Sequence, residues 1–206
     1  MRVAVIDYGI GNTGSVVRAL RRIGAEGCLV DRSEALAGFT SAILPGVGSF
    51  NAAMTRLRSD GWEPAIADHL ALGGRLLGIC LGMQLLMSRG DEGGETAGLG
   101  LIPGEVVPLR ALGCEERLPH VGWNEVEWEP RSPLAGHPFD GRDFYFVHSY
   151  AAVPDADDHI WARTTHGVPF ASMVGTDSIW GCQFHPEKSS TPGHVLLQEF
   201  VGQRTC

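Results

Sequence analysis

The stretch Arg75 to Met87, read Arg-Leu-Leu-Gly-Ile-Cys-Leu-Gly-Met-Gln-Leu-Leu-Met, constrains this chain more than any other. It carries a buried apolar strand into an amphipathic helix through Gly78-Ile79-Cys80-Leu81-Gly82. A strand that turns sharply into a helix needs small residues on both sides of the turn, so that the backbone folds tightly while the central side chain stands out above the sheet. Cys80 is then placed at a helix N-terminus, where unpaired N–H groups and the helix dipole favour the thiolate, the nucleophilic form of cysteine. A lone cysteine is more often a small buried hydrophobe. The two flanking glycines, the apolar strand before and the helical pattern after make a nucleophile the better reading.

The segments upstream supply a sheet for that elbow. Arg2 to Ile6 is a continuous apolar run bounded by Asp7 and Gly9, as in a central strand of a parallel sheet. A helix follows, capped by Asn12 or Thr13, with Val16, Val17, Leu20 and Ile23 at helical spacing and Gly24 closing it. A short strand near Cys28 to Val30, a helical turn after Ser33 and a strand from Ser41 to Leu44, ending in Pro45-Gly46-Val47-Gly48, continue the alternation. Helical patterns cover Phe50 to Leu57 and Trp62 to Leu72. Alternation of this kind implies a doubly wound α/β fold: an open, mostly parallel sheet with helices on both faces. Sites in such sheets lie beyond the carboxyl ends of the strands, where Asp7 to Asn12, Pro45 to Gly48 and Cys80 all fall.

Beyond Asp91 the texture becomes Gly-rich loop and short β-like runs: Glu105 to Leu109, Glu125 to Trp128, Phe144 to Tyr150, Ile160 to Thr165, Ala171 to Val174 and Ile179 to Phe184. These read as antiparallel hairpins on one edge, an antiparallel β extension of the parallel sheet. Gly175-Thr176-Asp177-Ser178 makes the turn between the last two. A final helix from about Pro192 to Val201 packs through Val195, Leu196, Leu197 and Phe200. Nothing resembling a linker or repeat divides the 206 residues, so a single domain over 1–206 is expected.

Composition narrows the function classes. A formal net charge of −8 opposes binding to nucleic acid or acidic membranes, which requires clustered Lys and Arg. The apolar start is too short for a signal peptide and no run approaches a membrane span, so a cytoplasmic location is expected. Cys28, Cys80, Cys114, Cys182 and Cys206 are odd in number and contain no C-x-x-C pair, which argues against a disulfide framework or a zinc site. No metal constellation is visible among the histidines, and no cofactor motif is present.

A cysteine nucleophile needs a base, and the base needs a group to hold its tautomer. Phe184-His185-Pro186-Glu187 offers both: in extended backbone residues i and i+2 project to one side, and Pro186 biases His185 towards that geometry. Acyl transfer also needs donors aimed at an oxyanion. The N–H of Leu81, next to the nucleophile, is one, and the loop containing Val47 and Gly48 offers others.

Gly78-Ile-Cys-Leu-Gly-Met-Gln84 with Gln183-Phe-His-Pro-Glu-Lys-Ser189 far downstream resembles the class I, triad-type glutamine amidotransferases. The order Cys then His-x-Glu separates it from α/β-hydrolases, whose acid precedes the histidine. Asp7-Tyr-Gly-Ile-Gly-Asn12, Leu44-Pro-Gly-Val-Gly-Ser-Phe50, Pro119-His-Val-Gly-Trp-Asn124, Tyr145-Phe-Val-His-Ser-Tyr150 and His185-Pro-Glu-Lys-Ser189 together look like the branch of glutaminase subunits of imidazole glycerol phosphate synthase. The resemblance runs from about Val3 to Gly202. It implies that Cys80 attacks the carboxamide of glutamine, His185 moves the proton and Glu187 orients His185. It also implies a glutamine pocket formed by Gly48 and Gln84, with Glu92 for the α-amino group and Ser149 and Tyr150 for the α-carboxylate.

Four further positions, Asn12, Trp123, Tyr145 and Lys188, match those that line the face docked on a cyclase subunit, a (β/α)₈ barrel to which ammonia passes. Read without the resemblance, Trp123 is a core residue, Tyr145 a strand residue and Lys188 a solvated charge. Glutaminase motifs occupy the whole sequence, so the ammonia acceptor is expected on another polypeptide and the isolated chain is expected to be poorly active. Two alternatives compete: the glutaminase subunit of a pyridoxal phosphate, GMP or anthranilate synthase, and a non-catalytic redox sensor in which Cys80 works without a base.

Overall fold

The structure is a computed structural model that describes residues 1–202; Cys206 lies outside the described residues. The first half alternates as the apolar runs require: β1 Arg2–Ile6, α1 Thr13–Arg22, β2 Glu26–Val30, β3 Ser41–Gly46, α2 Phe50–Ser59, α3 Trp62–Ala71, β4 Arg75–Cys80 and α4 Leu81–Leu85. The second half is mainly β: β5 Met87–Gly90, β6 Thr96–Ala97, β7 Ile102–Pro108, β8 His120–Trp128, β9 Arg142–His148, β10 Tyr150–Pro154, β11 Ile160–His166, β12 Val168–Gly175 and β13 Ile179–Cys182, closed by α5 Ser190–Val201.

One nine-stranded sheet has the order β2-β1-β3-β4-β13-β12-β11-β8-β9. The ladders from β2 to β13 are parallel and those from β13 outward to β9 are antiparallel. The core divides across this sheet. Val3 and Val5 pack with Val16 and Leu20 of α1 and Leu196, Leu197 and Phe200 of α5, while Ala4 and Ile6 pack with Met54 and Leu57 of α2 and Trp62 and Ile66 of α3. Both faces of β1 are therefore covered, which is why its sequence is an unbroken apolar run rather than an alternating one.

Three departures from the sequence reading matter for the site. The β-like runs do not all extend one edge: β7 and β10 join β5 and β6 in a separate four-stranded sheet, order β10-β7-β5-β6. Phe144 to Tyr150 is not one strand either; it breaks at Ser149, with β9 in the large sheet and β10 in the small one. Finally, the helix after the elbow is neither long nor amphipathic. It has five residues, all buried, because β5 begins at once and the small sheet covers the outward face. Two-sided burial explains the run Leu81 to Met87, whose only strongly polar side chain, Gln84, is also buried.

Register sets the edge on which the site forms. β4 lies between β3 and β13, with Gly46 opposite Cys80 and Cys182 opposite Ile79. All three strands therefore end at the same level, and the segment leaving β13 passes beside Cys80. None of the described helices is long and apolar enough to cross a membrane.

Candidate active site

Cys80 occupies the last position of β4 with φ 56° and ψ −110°, a region that L residues avoid at a cost of about 1–3 kcal/mol. The two flanking glycines permit it. A Cβ on Gly78 would lie 2.5 Å from the Gly82 carbonyl oxygen, and one on Gly82 would overlap the Leu44 carbonyl. With only five residues in α4, a macrodipole contributes little, and the sulfur is held by individual contacts instead. Gln183 Nε2 lies 3.7 Å from Cys80 Sγ, and the Val147 carbonyl lies 3.8 Å from it.

His185 and Glu187 meet as their i, i+2 spacing implies. His185 Nδ1 is 2.8 Å from Glu187 Oε1, with the two side chains only 3% and 2% exposed. A carboxylate only accepts, so Nδ1 carries the hydrogen and Nε2 is the nitrogen left for chemistry; Nε2 is buried and has no hydrogen-bond partner among the described residues. Burial is the largest single influence on His185 and disfavours its charged form. The neighbouring Cys80 and Glu187 together outweigh it and push the imidazole up to about 9. Cys80, His185 and Glu187 are thus coupled electrostatically as well as in space, as a nucleophile, base and orienting acid would need to be.

The backbone around His185 is also tied down. His185 N–H donates to the Tyr145 carbonyl at 2.8 Å, and buried Ser189 bridges the same strands, accepting from Tyr145 N–H at 3.0 Å and donating to the His185 carbonyl at 2.6 Å. Ser189 is visible in the sequence only as part of a motif, since its role depends on β9 lying alongside.

A cavity of about 340 Å³ opens on the sulfur. Cys80, His185, Val47, Gly48, Leu81, Gln84, Glu92, Ser149 and Tyr150 all line it, so every residue expected in the glutamine pocket or oxyanion site borders one space. Pro119, Val147 and His148 line it too, and sequence reasoning gave them no role in the site. The break at Ser149 is what turns that segment into the cavity wall. Gly48 has φ +88°, and the N–H groups of Val47 and Gly48 make no hydrogen bond among the described residues. Glu92 Oε2 accepts from the Phe50 N–H at 2.6 Å, so this carboxylate caps the start of α2, whose preceding Ser49 makes no side-chain cap. Its second oxygen is not used by that contact.

On the outer side of the same edge, Trp123 of β8 lies opposite Tyr145 of β9 and meets it edge to face, with ring centroids 6.1 Å apart. Lys188 Nζ lies 5.6 Å over the Tyr145 ring. Trp123 is 52% exposed and hence is not a core residue; Val121, two residues earlier on the same face of β8, is 56% exposed and gives no sequence signal of its own. Asn12 is set apart from this cluster. Its side chain accepts from Ser15 N–H at 3.3 Å and caps α1, and with His185 and Glu187 it borders a small void beneath the Pro45–Val47 loop.

A strained cysteine at a strand end, backed by a buried His–Glu pair, on this sheet order, fits one class of enzyme, and comparison with protein families agrees. The family model for class I glutamine amidotransferases matches residues 4–203. The chain belongs to that family. Among curated relatives, it is 45% identical to imidazole glycerol phosphate synthase subunit HisH 1 of Prochlorococcus marinus (strain MIT 9313), over 99% of this chain and 98% of the relative. It is 43% identical to the HisH subunit of Desulfitobacterium hafniense (strain DSM 10664 / DCB-2), over 96% and 92%. Among solved structures, the PurLQS complex of Thermotoga maritima superposes with a TM-score of 0.76 at 19% identity, over 98% of this chain and 97% of the matched chain, which shows a shared fold.

Proposed function

We propose that this chain, as a single glutaminase domain, hydrolyses glutamine and passes the ammonia to the cyclase subunit of an imidazole glycerol phosphate synthase. The observation that carries the reading is the buried Cys80–His185–Glu187 set opening on a cavity lined by Gly48, Gln84, Glu92, Ser149 and Tyr150. The relatives of 43% and 45% identity and nearly full coverage support the branch within the family.

The reaction follows from the geometry. The Cys80 sulfur attacks the carboxamide carbon of glutamine, forming a C–S bond while the carbonyl electron pair moves to oxygen. The N–H groups of Val47, Gly48 and Leu81 border the space where that oxyanion develops. His185 Nε2–H gives its proton to the amide nitrogen, the C–N bond breaks and ammonia leaves. Water then adds to the thioester, giving a proton to Nε2, and cleavage of the C–S bond returns glutamate and the thiolate. Glu187 stabilises the imidazolium that donates in the first transfer and is regenerated in the second. Gln84 and Gly48 hold the side chain of glutamine, Glu92 its α-amino group and Ser149 and Tyr150 its α-carboxylate.

The docking face is the Trp123–Tyr145–Lys188 cluster with Asn12, seated on the mouth of a (β/α)₈ barrel, so that ammonia leaves His185 on the side away from bulk water. The chain acts in the cytoplasm, alongside that partner. The deciding experiment measures glutamate release by the chain alone and with a cyclase subunit and its ribonucleotide substrate. Strong stimulation in the complete mixture is expected; hydrolysis indifferent to the cyclase would remove the pathway assignment. In the complex, Cys80→Ala should abolish synthesis from glutamine and leave synthesis from added ammonia.

A further inference from the structure

Gln183 is fully buried and two residues from the base, yet the mechanism above gives it no task. Its orientation can be deduced from the hydrogen bonds around it, starting from the Tyr150 carbonyl, which can only accept. Two side chains reach that oxygen: His148 Nδ1 at 2.8 Å and Gln84 Nε2 at 3.2 Å. Both must donate.

On one side, His148 Nδ1 is therefore protonated. Burial, the largest influence, and the neighbouring histidines push this imidazole down to about 3 against the pull of its bond to Tyr150, so it is neutral and its Nε2 is a bare acceptor. His120 Nδ1 approaches that Nε2 at 3.0 Å and must supply the hydrogen, which leaves His120 Nε2 to accept from Asn124 Nδ2 at 3.3 Å. Asn124 Nδ2 also donates to the Thr165 carbonyl at 2.9 Å, so its orientation agrees with the chain's direction.

On the other side, the nitrogen of Gln84 that donates to Tyr150 also meets Gln183 Oε1 at 2.9 Å. The nitrogen of Gln183 is then aimed at Cys80 Sγ, 3.7 Å away. Turning the Gln183 amide over would set two N–H groups against each other and a carbonyl oxygen against the sulfur. The network excludes that arrangement.

We propose that Gln183 is a catalytic residue of this glutaminase: its Nε2–H donates to the Cys80 sulfur, stabilising the thiolate, and the chain through Gln84, the Tyr150 carbonyl, His148, His120 and Asn124 locks that donor in place. The inference rests on the Cys80–His185–Glu187 reading and adds a donor to the sulfur. A thiolate with so little exposed surface depends on such directed donors, because few waters can replace them.

Two variants test it. Gln183→Leu keeps the volume and removes the donor. Relative to wild type, the rate of Cys80 alkylation by iodoacetamide at pH 7 should fall by about tenfold, and kcat in the complex with the cyclase likewise, with KM for glutamine nearly unchanged. Gln183→Glu is isosteric: its carboxyl can donate to the sulfur when protonated and repels it when ionised. Its alkylation rate as a fraction of wild type should therefore rise as the pH is lowered from about 8 to about 5. The titratable groups around this position, Cys80, His185, Glu187 and Cys182, are common to both proteins, so the ratio isolates the new carboxyl. A folded Gln183→Leu protein alkylated at the wild-type rate, or a Gln183→Glu ratio that does not change with pH, would overturn the proposal. If the Leu variant does not fold, the isosteric variant decides alone. Iodoacetamide needs neither glutamine nor a partner, so failure here is distinguishable from failure of the glutaminase assignment.

Discussion

The substitution Glu187→Gln isolates the charge of the buried pair from its shape. The oxygen of the new amide can still accept from His185 Nδ1–H, so the tautomer is preserved and only the carboxylate charge is lost. His185 is pushed up to about 9 against burial by the combined effect of Cys80 and Glu187. An opposite charge at this distance stabilises a buried imidazolium by about 1.4–4 kcal/mol. Taking about 2 kcal/mol as the share of Glu187, kcat for glutamate release should fall about 30-fold. The pH profile supplies a sign. The charged form of a group whose pKa is raised is present below that value and lost above it, so proton delivery to the departing ammonia persists in the wild type until the pH passes about 9. In the variant the basic limb of the kcat profile should move down towards neutrality. Stability should fall too at pH below about 9, since the buried imidazolium of His185 loses its paired charge. The assay is steady-state glutamate release from about pH 6 to about pH 10 in the presence of the cyclase, with a thermal melt of each protein. A kcat within about threefold of wild type together with an unmoved basic limb would refute the electrostatic argument.

Two further outcomes follow from the same structure. Because Cys80 has φ 56°, Cys80→Gly should be more stable than Cys80→Ala by about 1 kcal/mol in a denaturant titration, the reverse of the usual order; equal or opposite midpoints would show that the elbow relaxes. Trp123→Ala should leave the melting midpoint of the free chain nearly unchanged, since the side chain is half exposed, while weakening binding to the cyclase by about 2 kcal/mol or about 30-fold. Unaltered affinity in a titration would remove Trp123 from the docking face.

The fold is legible in the sequence where burial and period agree. β1, β3 and β4 are apolar runs because both of their faces are covered, and glycines mark their ends. α4 is misread for an instructive reason: Leu81 to Met87 is apolar enough for a helix face, but periodicity cannot distinguish one buried stripe from burial on every side. The split of Phe144 to Tyr150 is invisible because both halves are apolar and β-prone, and the break at Ser149 depends on which sheet each half joins. Within the site, Cys80, His185 and Glu187 stand out because their chemistry is local: two glycines around one residue, and two side chains at i, i+2. Gln183, Ser189 and His148 do not, because each depends on a partner from a strand distant in sequence: the Cys80 sulfur, the Tyr145 N–H and the His120 ring, respectively.

The same distant pairing sets Tyr145, which we propose for the docking face, beside the backbone of His185. Tyr145 presents its ring outward to Trp123 and Lys188, while its backbone carbonyl accepts from His185 N–H and its N–H donates to Ser189, which in turn holds the His185 carbonyl. No side chain intervenes between the surface ring and the main chain of the base. On the neighbouring strand β8, which also carries Trp123, His120 and Asn124 form the outer end of the hydrogen-bond chain that reaches Gln183. The nucleophile and its base are thus each braced from the β8–β9 pair, by separate routes. A partner seated on that hairpin touches the backbone that holds His185 and the strand that holds Gln183 in position. Such an arrangement requires an antiparallel extension on the parallel sheet: the parallel core brings Cys80 and β13 to one level, and the added hairpin closes over them from outside.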